Sequence, residues 1–328
     1  MRVGFTYDLR DDYLRAGYSL EETAEFDSVD TIESIEGALR GLGHEVERIG
    51  NIKALAKQLV SGKRWDLVFN ICEGMHGIGR EAQVPALLDA YAIPYTFSDT
   101  VVMAMTLHKG LTKHVVRAHG VPTPDFAVVE TVAEAEAVDL PFPLFAKPVA
   151  EGTGRGISGA SRIGSKAELV ERCRDIVATY KQPALVETFL PGREFTIGLT
   201  GEGASTRAIG ALEVGFLDTA ESTIYGMLNK EECETRISYM LVDDAVSREA
   251  EAVAIRAWRV LGCRDAGRID LRCDATGRPA FIEVNPLAGL NPAHSDLPIL
   301  AIKAGMPYEQ LIDVIVQSAS RRIAGARP

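Results

Sequence analysis

Gly267-Arg268-Ile269-Asp270-Leu271-Arg272 and Phe281-Ile282-Glu283-Val284-Asn285 are the two stretches whose reading decides how this chain folds and where its chemistry sits. Both read as strands. Side chains alternate along a strand, so Ile269, Leu271, Ile282 and Val284 share one face, while Arg268, Asp270, Glu283 and Asn285 share the other. Symmetric pairing about the turn Asp274-Ala275-Thr276-Gly277-Arg278-Pro279 sets Asp270 opposite Glu283 and Arg268 opposite Asn285. Like charges directly opposite one another destabilise a sheet unless something neutralises them. A hard divalent cation does so, and carboxylate with amide oxygens is the donor set that Mg²⁺ accepts beside nucleotide phosphates. The hairpin alone also admits a solvated sheet face carrying an acid pair.

Working outward, 328 residues exceed what one core usually supports, so two or three domains are expected. With 46% hydrophobic and 25% charged residues the composition is globular. A net charge of −11, with no Lys/Arg block, argues against nucleic acid as a partner. No apolar run approaches the ~18 residues of a membrane span, and the N-terminus lacks a signal-peptide core, so a soluble, cytoplasmic protein is expected. Cys72, Cys173, Cys233, Cys263 and Cys273 form no Cys-x-x-Cys pair and read as reduced structural thiols.

Over the first ~100 residues strand and helix alternate, which predicts a parallel sheet covered by helices. Strands are predicted near 2–6, 44–49 and 66–71, a helix from Ser28 carries Val29, Ile32, Ile35, Leu39 and Leu42, and Asn51 caps another. The segment Cys72-Glu73-Gly74-Met75-His76-Gly77 then falls at the ligand rim of that sheet. One helix is predicted from about 98 to 119, ended by the breakers Gly120-Val121-Pro122-Thr123-Pro124. The predicted division is 1–100 as an N-terminal α/β domain, 101–190 as a small central domain, and 191–328 as an α+β domain.

Lys147 precedes Pro148 at the end of an apolar strand, just before Glu151-Gly152-Thr153-Gly154-Arg155-Gly156. Glycines let backbone N–H groups approach phosphate oxygens, and a lysine beside them adds a point charge. An ordinary flexible hairpin is the alternative. The run from Ala184 to Thr196 reads as strand, bend, strand, exposing backbone groups that can read an adenine edge, with Glu187 and Glu194 as polar anchors or as surface acids of a linker. Lys109 lies on a helix, where most lysines are solvated, and His76 follows a strand end.

These segments in this order resemble the ATP-grasp superfamily, and most closely the D-alanine:D-alanine ligases. The matching stretches are Met75-His76-Gly77, Leu107 to Lys113 with Gly120-Val121-Pro122, Lys147-Pro148 with Glu151-Gly152, Val186-Glu187 through Phe195-Thr196, Gly267 to Leu271, Glu283-Val284-Asn285, and His294-Ser295 with Leu297-Pro298. The resemblance implies a three-domain α/β and α+β ATP-grasp architecture with ATP between the last two domains. It implies that Lys109, Lys147 and the loop Glu151, Gly152, Thr153 and Gly154 contact nucleotide phosphates. It places adenine at the backbone of Glu187, Phe189 and Leu190 and the ribose at Glu194. Asp270, Glu283 and Asn285 then hold two Mg²⁺, Arg268 stabilises the transferred phosphoryl group and the tetrahedral intermediate, and His76 and Ser295 line the substrate site; Pro286-Leu287-Ala288-Gly289-Leu290 replaces the usual Pro-Gly ending, with Gly289 keeping a flexible backbone donor for an oxyanion. The implied activity is an ATP-dependent carboxylate-amine ligase acting through an acylphosphate on small molecules, with a homodimer implied through the N-terminal domain.

The likeness departs on the amino-acid side. After the first strand the ligases carry a Ser-x-Glu-x-x-x-Ser type element whose glutamate holds an ammonium, whereas here the chain runs Tyr7-Asp8-Leu9-Arg10-Asp11-Asp12. Glu21, Glu22, Glu25 and Asp27 follow as candidate replacements or as a solvated acidic loop. Thr153-Gly154 replaces paired serines, and Lys230, near Tyr225, partly substitutes for a Tyr-x-x-Lys-Tyr element. Two other readings stay open: a biotin-carboxylase-like or other ATP-grasp activity, and an ATP-binding module without catalysis.

Overall fold

A computed structural model describes residues 1–216 and 237–325. Lys230 and Cys233 lie outside the described residues.

The first third contains β1 (Arg2–Tyr7), α1 (Arg10–Arg15), α2 (Val29–Gly41), β2 (Glu45–Gly50), α3 (Ile52–Val60), β3 (Leu67–Ile71) and α4 (Gln83–Ala90). Its strands form an all-parallel sheet in the order β2-β1-β3, as the alternation of elements requires. Ser28 caps α2 by accepting from the Thr31 N–H, and Ile32, Ile35 and Leu39 enter the core at helical spacing. Asn51 caps α3 in the same manner.

Next come α5 (Thr100–Leu107), α6 (Lys109–Ala118), β4 (Phe126–Val129), α7 (Val132–Ala137), β5 (Leu144–Pro148), β6 (Arg162–Ile163), α8 (Lys166–Tyr180) and β7 (Ala184–Thr188). The second sheet is antiparallel, in the order β4-β7-β5-β6. The single helix expected over 98–119 is broken here. His108 takes an extended conformation (φ −84°, ψ 90°) and its Nδ1 accepts from the Leu111 N–H, so a new helix starts at Lys109. Apolar spacing runs through both helices and hides this cap, yet the break determines where Lys109 points. Gly110 lets α6 approach β4, since a Cβ there would stand 2.5 Å from Val128.

The last third holds β8 (Glu194–Thr200), β9 (Arg207–Phe216), β10 (Ile237–Val242), α9 (Ala245–Leu261), β11 (Ala266–Cys273), β12 (Pro279–Asn285), α10 (Asp296–Lys303) and α11 (Tyr308–Gly325). Its antiparallel sheet runs β10-β9-β8-β11-β12. One face packs on α9 through Phe195, Ile197, Ile269, Leu271, Phe281 and the fully buried Trp258. The terminal helices turn back: Leu297 and Ala301 of α10 and Leu311, Ile312 and Ile315 of α11 share a core with Val3, Phe5, Ile32 and Phe69. The parallel sheet is therefore covered by helices from both ends of the chain. Cys72, Cys173, Cys263 and Cys273 are buried free thiols, in line with the structural reading. No described helix is long and apolar enough to cross a membrane.

Gly267 marks a tight point where this sheet meets α9, because a Cβ there would lie 2.5 Å from the Asn285 carbonyl oxygen and 2.6 Å from the Trp258 ring. Backbone cannot retreat as a flexible side chain does. Gly267→Ala is expected to cost about 1–3 kcal/mol by overpacking, read as a lower urea midpoint; an unchanged midpoint would show that β12 has room to move.

Candidate functional site

The polar side of β11 and β12 has the register that symmetry about the turn predicts: Asp270 faces Glu283 and Arg268 faces Asn285. A bulge follows, so Leu271 pairs with Phe281 and Ile282 falls between ladder positions. Ile282 therefore does not join the core face as strict alternation predicts. Phe281 is the buried residue, and Ile282 lines the cleft with Glu283.

The acid pair is neutralised by the protein itself. Arg268 pairs with Asp270 and has its Nε 3.7 Å from Asp296. The Thr196 hydroxyl donates to Asp270 Oδ1 at 2.9 Å, while Glu283 Oε2 lies 3.6 Å from Lys147 and 3.7 Å from Lys109. The step from opposed charges to an obligatory metal is thus too strong; resident cations meet the need. The donors still suit a hard cation, since two carboxylates and an amide offer only oxygen and Mg²⁺ completes its shell with phosphates and water. Among the described residues no group of three or more His, Cys, Asp or Glu side chains forms a metal cage, so any cation here must draw on a ligand or solvent.

Across the cleft, β5 supplies Lys147, β7 supplies Glu187, and α6 supplies Lys109 and Lys113. Glu187 is almost fully buried, with Oε1 2.5 Å from the Lys113 ammonium and Oε2 3.2 Å from that of Lys147. Lys113 also donates to the Thr123 hydroxyl at 2.8 Å and the Phe281 carbonyl at 3.2 Å. Burial pulls the Lys113 ammonium down to about 8 against the attraction of Glu187. Burial opposes the charge of Lys147 too, but Glu187 and Glu283 outweigh it and hold this lysine above its ordinary value. Burial likewise raises Glu187, and the two lysines overcome it and keep the carboxylate ionised. The Glu187 side chain, one of the two polar anchors expected on the strand-bend-strand run, faces these two lysines. It anchors lysines. Lys113 closes a stretch that carries the family likeness, but its role has no local signal; only tertiary packing makes it the partner of Glu187.

Lys109 is buried rather than solvated, and its ammonium donates to the Glu151 carbonyl at 2.6 Å. That contact begins the glycine-bearing loop, which is not a plain hairpin. Thr153, Gly154 and Gly156 all have positive φ (50°, 69° and 73°), turning the backbone where glycine is favoured. The N-terminal domain grips the same loop. Glu25 Oε1 accepts from the Gly152 N–H at 2.5 Å, Arg80 donates to the Ala150 carbonyl at 3.0 Å, and Arg80 and Glu25 pair at 2.6 Å. Of the four candidate acids in the N-terminal loop, Glu25 is the one that reaches Gly152. Arg80 carried no sequence signal of this role.

At the bend after β7 the Thr188 and Phe189 N–H groups donate to Asp125 and Pro143 carbonyls at 2.9 and 3.0 Å. The Leu190 N–H has no backbone acceptor among the described residues. Phe189 lies beneath two guanidinium groups, Arg162 and Arg272, at 4.9 and 5.2 Å from its ring centre, and Arg272 pairs with Glu194 at 3.1 Å. Phe189, Leu190, Glu194 and Arg272 bound a cleft of about 820 Å³ that Lys109, Lys147, Glu187, Asp270 and Glu283 also line. Lys109 and Glu151 continue into a chamber of about 620 Å³ containing Arg268, Asn285 and Gly289. A wider region of about 1660 Å³ beyond it is bordered by Thr153, His294 and Ser295. His76 stands apart: it is exposed, 3.4 Å from the Tyr18 hydroxyl, and lines none of these three spaces.

Residues 115–317 match the family described as "D-ala D-ala ligase C-terminus". The chain is 32% identical to the D-alanine–D-alanine ligase of Aquifex aeolicus over 297 residues, which is 88% of this chain and 94% of that one. It is 30% identical to an uncharacterized protein, y4sG, of Sinorhizobium fredii over 306 residues, 89% and 88% of the two chains. In three dimensions it superposes on the D-alanine–D-alanine ligase of Bacillus anthracis complexed with ATP with a TM-score of 0.74 at 19% identity, covering 100% of both chains.

The buried lysine pair sets a stability test. Glu187→Gln leaves Lys113 and Lys147 without their shared counter-charge, and breaking a buried pair from one side costs about 3–5 kcal/mol. Chemical denaturation is expected to show that loss; a variant as stable as the parent would mean that the ammonium groups find water.

Proposed function

The chain belongs to the D-alanine–D-alanine ligase family of ATP-grasp enzymes, and from that premise we propose that it joins an amino acid's carboxylate to a second molecule's amine at the expense of ATP. The observation that carries this reading is the convergence of Lys109 and Lys147 with Glu283 in the cleft that Asp270 also lines, beside the glycine-bearing loop.

In this reading ATP lies in the 820 Å³ cleft, its adenine against Phe189 and the free Leu190 N–H and its ribose near Glu194. Lys109, Lys147 and the backbone of Glu151 to Gly154 take the phosphates. Asp270, Glu283 and Asn285 would hold Mg²⁺, which when bound supplies further neutralisation of phosphate charge. Phosphoryl transfer asks little covalent chemistry of a protein and much positioning and charge stabilisation.

The carboxylate oxygen of the first substrate attacks the γ-phosphorus, the bond to ADP breaks, and an acylphosphate results. The second substrate's amine then attacks the acyl carbon, phosphate leaves, and the amine gives up a proton. Arg268, beside Asn285 and Gly289, faces the chamber where both steps take place and suits the transferring phosphoryl group and the oxyanion. The acylphosphate must be kept from water, and the loop held by Glu25, Arg80 and Lys109 suits that task. Ser295 borders the acceptor side. The changed N-terminal acids point to a substrate choice different from two D-alanines, a cytoplasmic setting supplies ATP and Mg²⁺, and a homodimer is proposed on the family likeness. A module without catalysis has no use for so complete a set of cationic and acidic side chains around one cleft.

Asp270→Ala and Glu283→Ala are each expected to lower amino-acid-dependent phosphate release from ATP by at least about 100-fold, with each variant still showing a cooperative thermal unfolding transition. Near-normal release in either variant would refute the assignment of these two carboxylates.

A further inference from the structure

The chamber of about 620 Å³ beside the nucleotide cleft is lined by basic groups, Lys109 and Arg268, by apolar ones such as Leu107 and Ala288, and by acids. Two of its four carboxylates are committed. Glu25 holds Arg80 and the Gly152 N–H, and Glu151 holds Arg155 at 2.9 Å and the Gln182 amide at 2.5 Å. The remaining two are Glu73, just after β3, and Glu81, in the single turn before α4. Among the described residues neither side chain makes a hydrogen bond or ion pair, although Glu81 is only 9% exposed. Arg80, next to Glu81 in the chain, is occupied by Glu25 and the Ala150 carbonyl.

A buried carboxylate without a partner is costly, and a second carboxylate lining the same chamber adds to that cost. Burial, with repulsion from Glu81 and Glu25, pushes Glu73 well above the ordinary carboxylate range, and burial pushes Glu81 up to about 7 against the attraction of Arg80. A packed core has no reason to keep such a pair where leucine or glutamine would fit. A cavity that must desolvate and hold a cation does, because an ammonium group neutralises both at once.

We propose, on the basis of the ligase reading, that Glu73 and Glu81 bind the cationic nitrogen of the carboxylate-donating substrate. That substrate is then a small amino acid, its ammonium on the two glutamates and its carboxylate toward Lys109 and Arg268. The acidic recognition element thus comes from the end of β3 and the turn that follows, while Glu25 serves the glycine-bearing loop.

Calorimetric titration of the full chain, holding Mg²⁺ and a non-hydrolysable ATP analogue, tests this with D- and L-alanine, D- and L-serine, and propionate as probes. At least one amino acid is expected to bind the parent at least about tenfold more tightly than propionate. Glu73→Gln and Glu81→Gln should each remove most of that preference, Glu81→Asp should restore part of it, and affinity for the analogue should stay within about twofold. Glutamine relieves the repulsion, so these variants should melt no lower than the parent. Amino-acid binding that survives both glutamine substitutions, or is absent from the nucleotide-loaded parent, overturns the assignment while leaving the nucleotide site standing. A parent that fails to bind the analogue overturns the ligase reading itself, and this inference with it.

Discussion

Everything in the cleft depends on how five buried or half-buried charges share one another. Lys113, Lys147 and Lys109 are held by Glu187 and Glu283, carboxylates contributed by two different sheets. Desolvating charges is expensive, and the expense is offset only where partners are close and the remaining hydrogen bonds are met. Lys113 meets this condition fully through Thr123 and the Phe281 carbonyl. Lys109 and Lys147 sit 3.7 and 3.6 Å from Glu283, looser than a tight pair, and face open space. These two loosely paired ammonium groups are the ones able to turn toward a ligand in that space. Phosphate oxygens are the anions that such an arrangement accepts with least reorganisation.

The fold is arranged to deliver these charges to one place. The extended residue His108 restarts the helix so that Lys109 reaches the Glu151 carbonyl and the cleft together. Close packing at Gly267 seats β11 and β12 against Trp258, which fixes Arg268 and Asp270 relative to Asn285 and Glu283. The bulge at Ile282 then rotates an apolar side chain into the cleft beside Glu283. On the far side Glu25 and Arg80 hold the glycine-bearing loop by its backbone, so the N-terminal domain takes part in shaping a site that the other two sheets build.

What the sequence made legible was whatever depends on local pattern. Alternation along β11 and β12, with a short turn, was enough for the register of Asp270 on Glu283, because hairpin pairing is set within some fifteen residues. Caps at Ser28 and Asn51 and the parallel first sheet were legible for the same reason. The helix break at His108 was not, since apolar spacing continues through it and a histidine cap has no strong signature. The lysine partners of Glu187 were not legible either, because a strand's alternation says which face a side chain takes, not which lysine waits there. Lys113, Arg80, Glu73 and Glu81 gain their significance from partners, or the lack of them, far away in the chain. The segment bearing Lys230 lies outside the described residues.

The central claim is that the two acids of β11 and β12 and the lysines facing them form a magnesium nucleotide site. A crystal structure of the chain grown with Mg²⁺ and a non-hydrolysable ATP analogue tests it most directly. The account predicts phosphates between Lys109 and Lys147 beside Gly152 and Thr153, with metal density against Asp270, Glu283 and Asn285. Nucleotide bound elsewhere, or phosphates in this cleft with Asp270 and Glu283 still held only by Arg268 and the lysines, would contradict it.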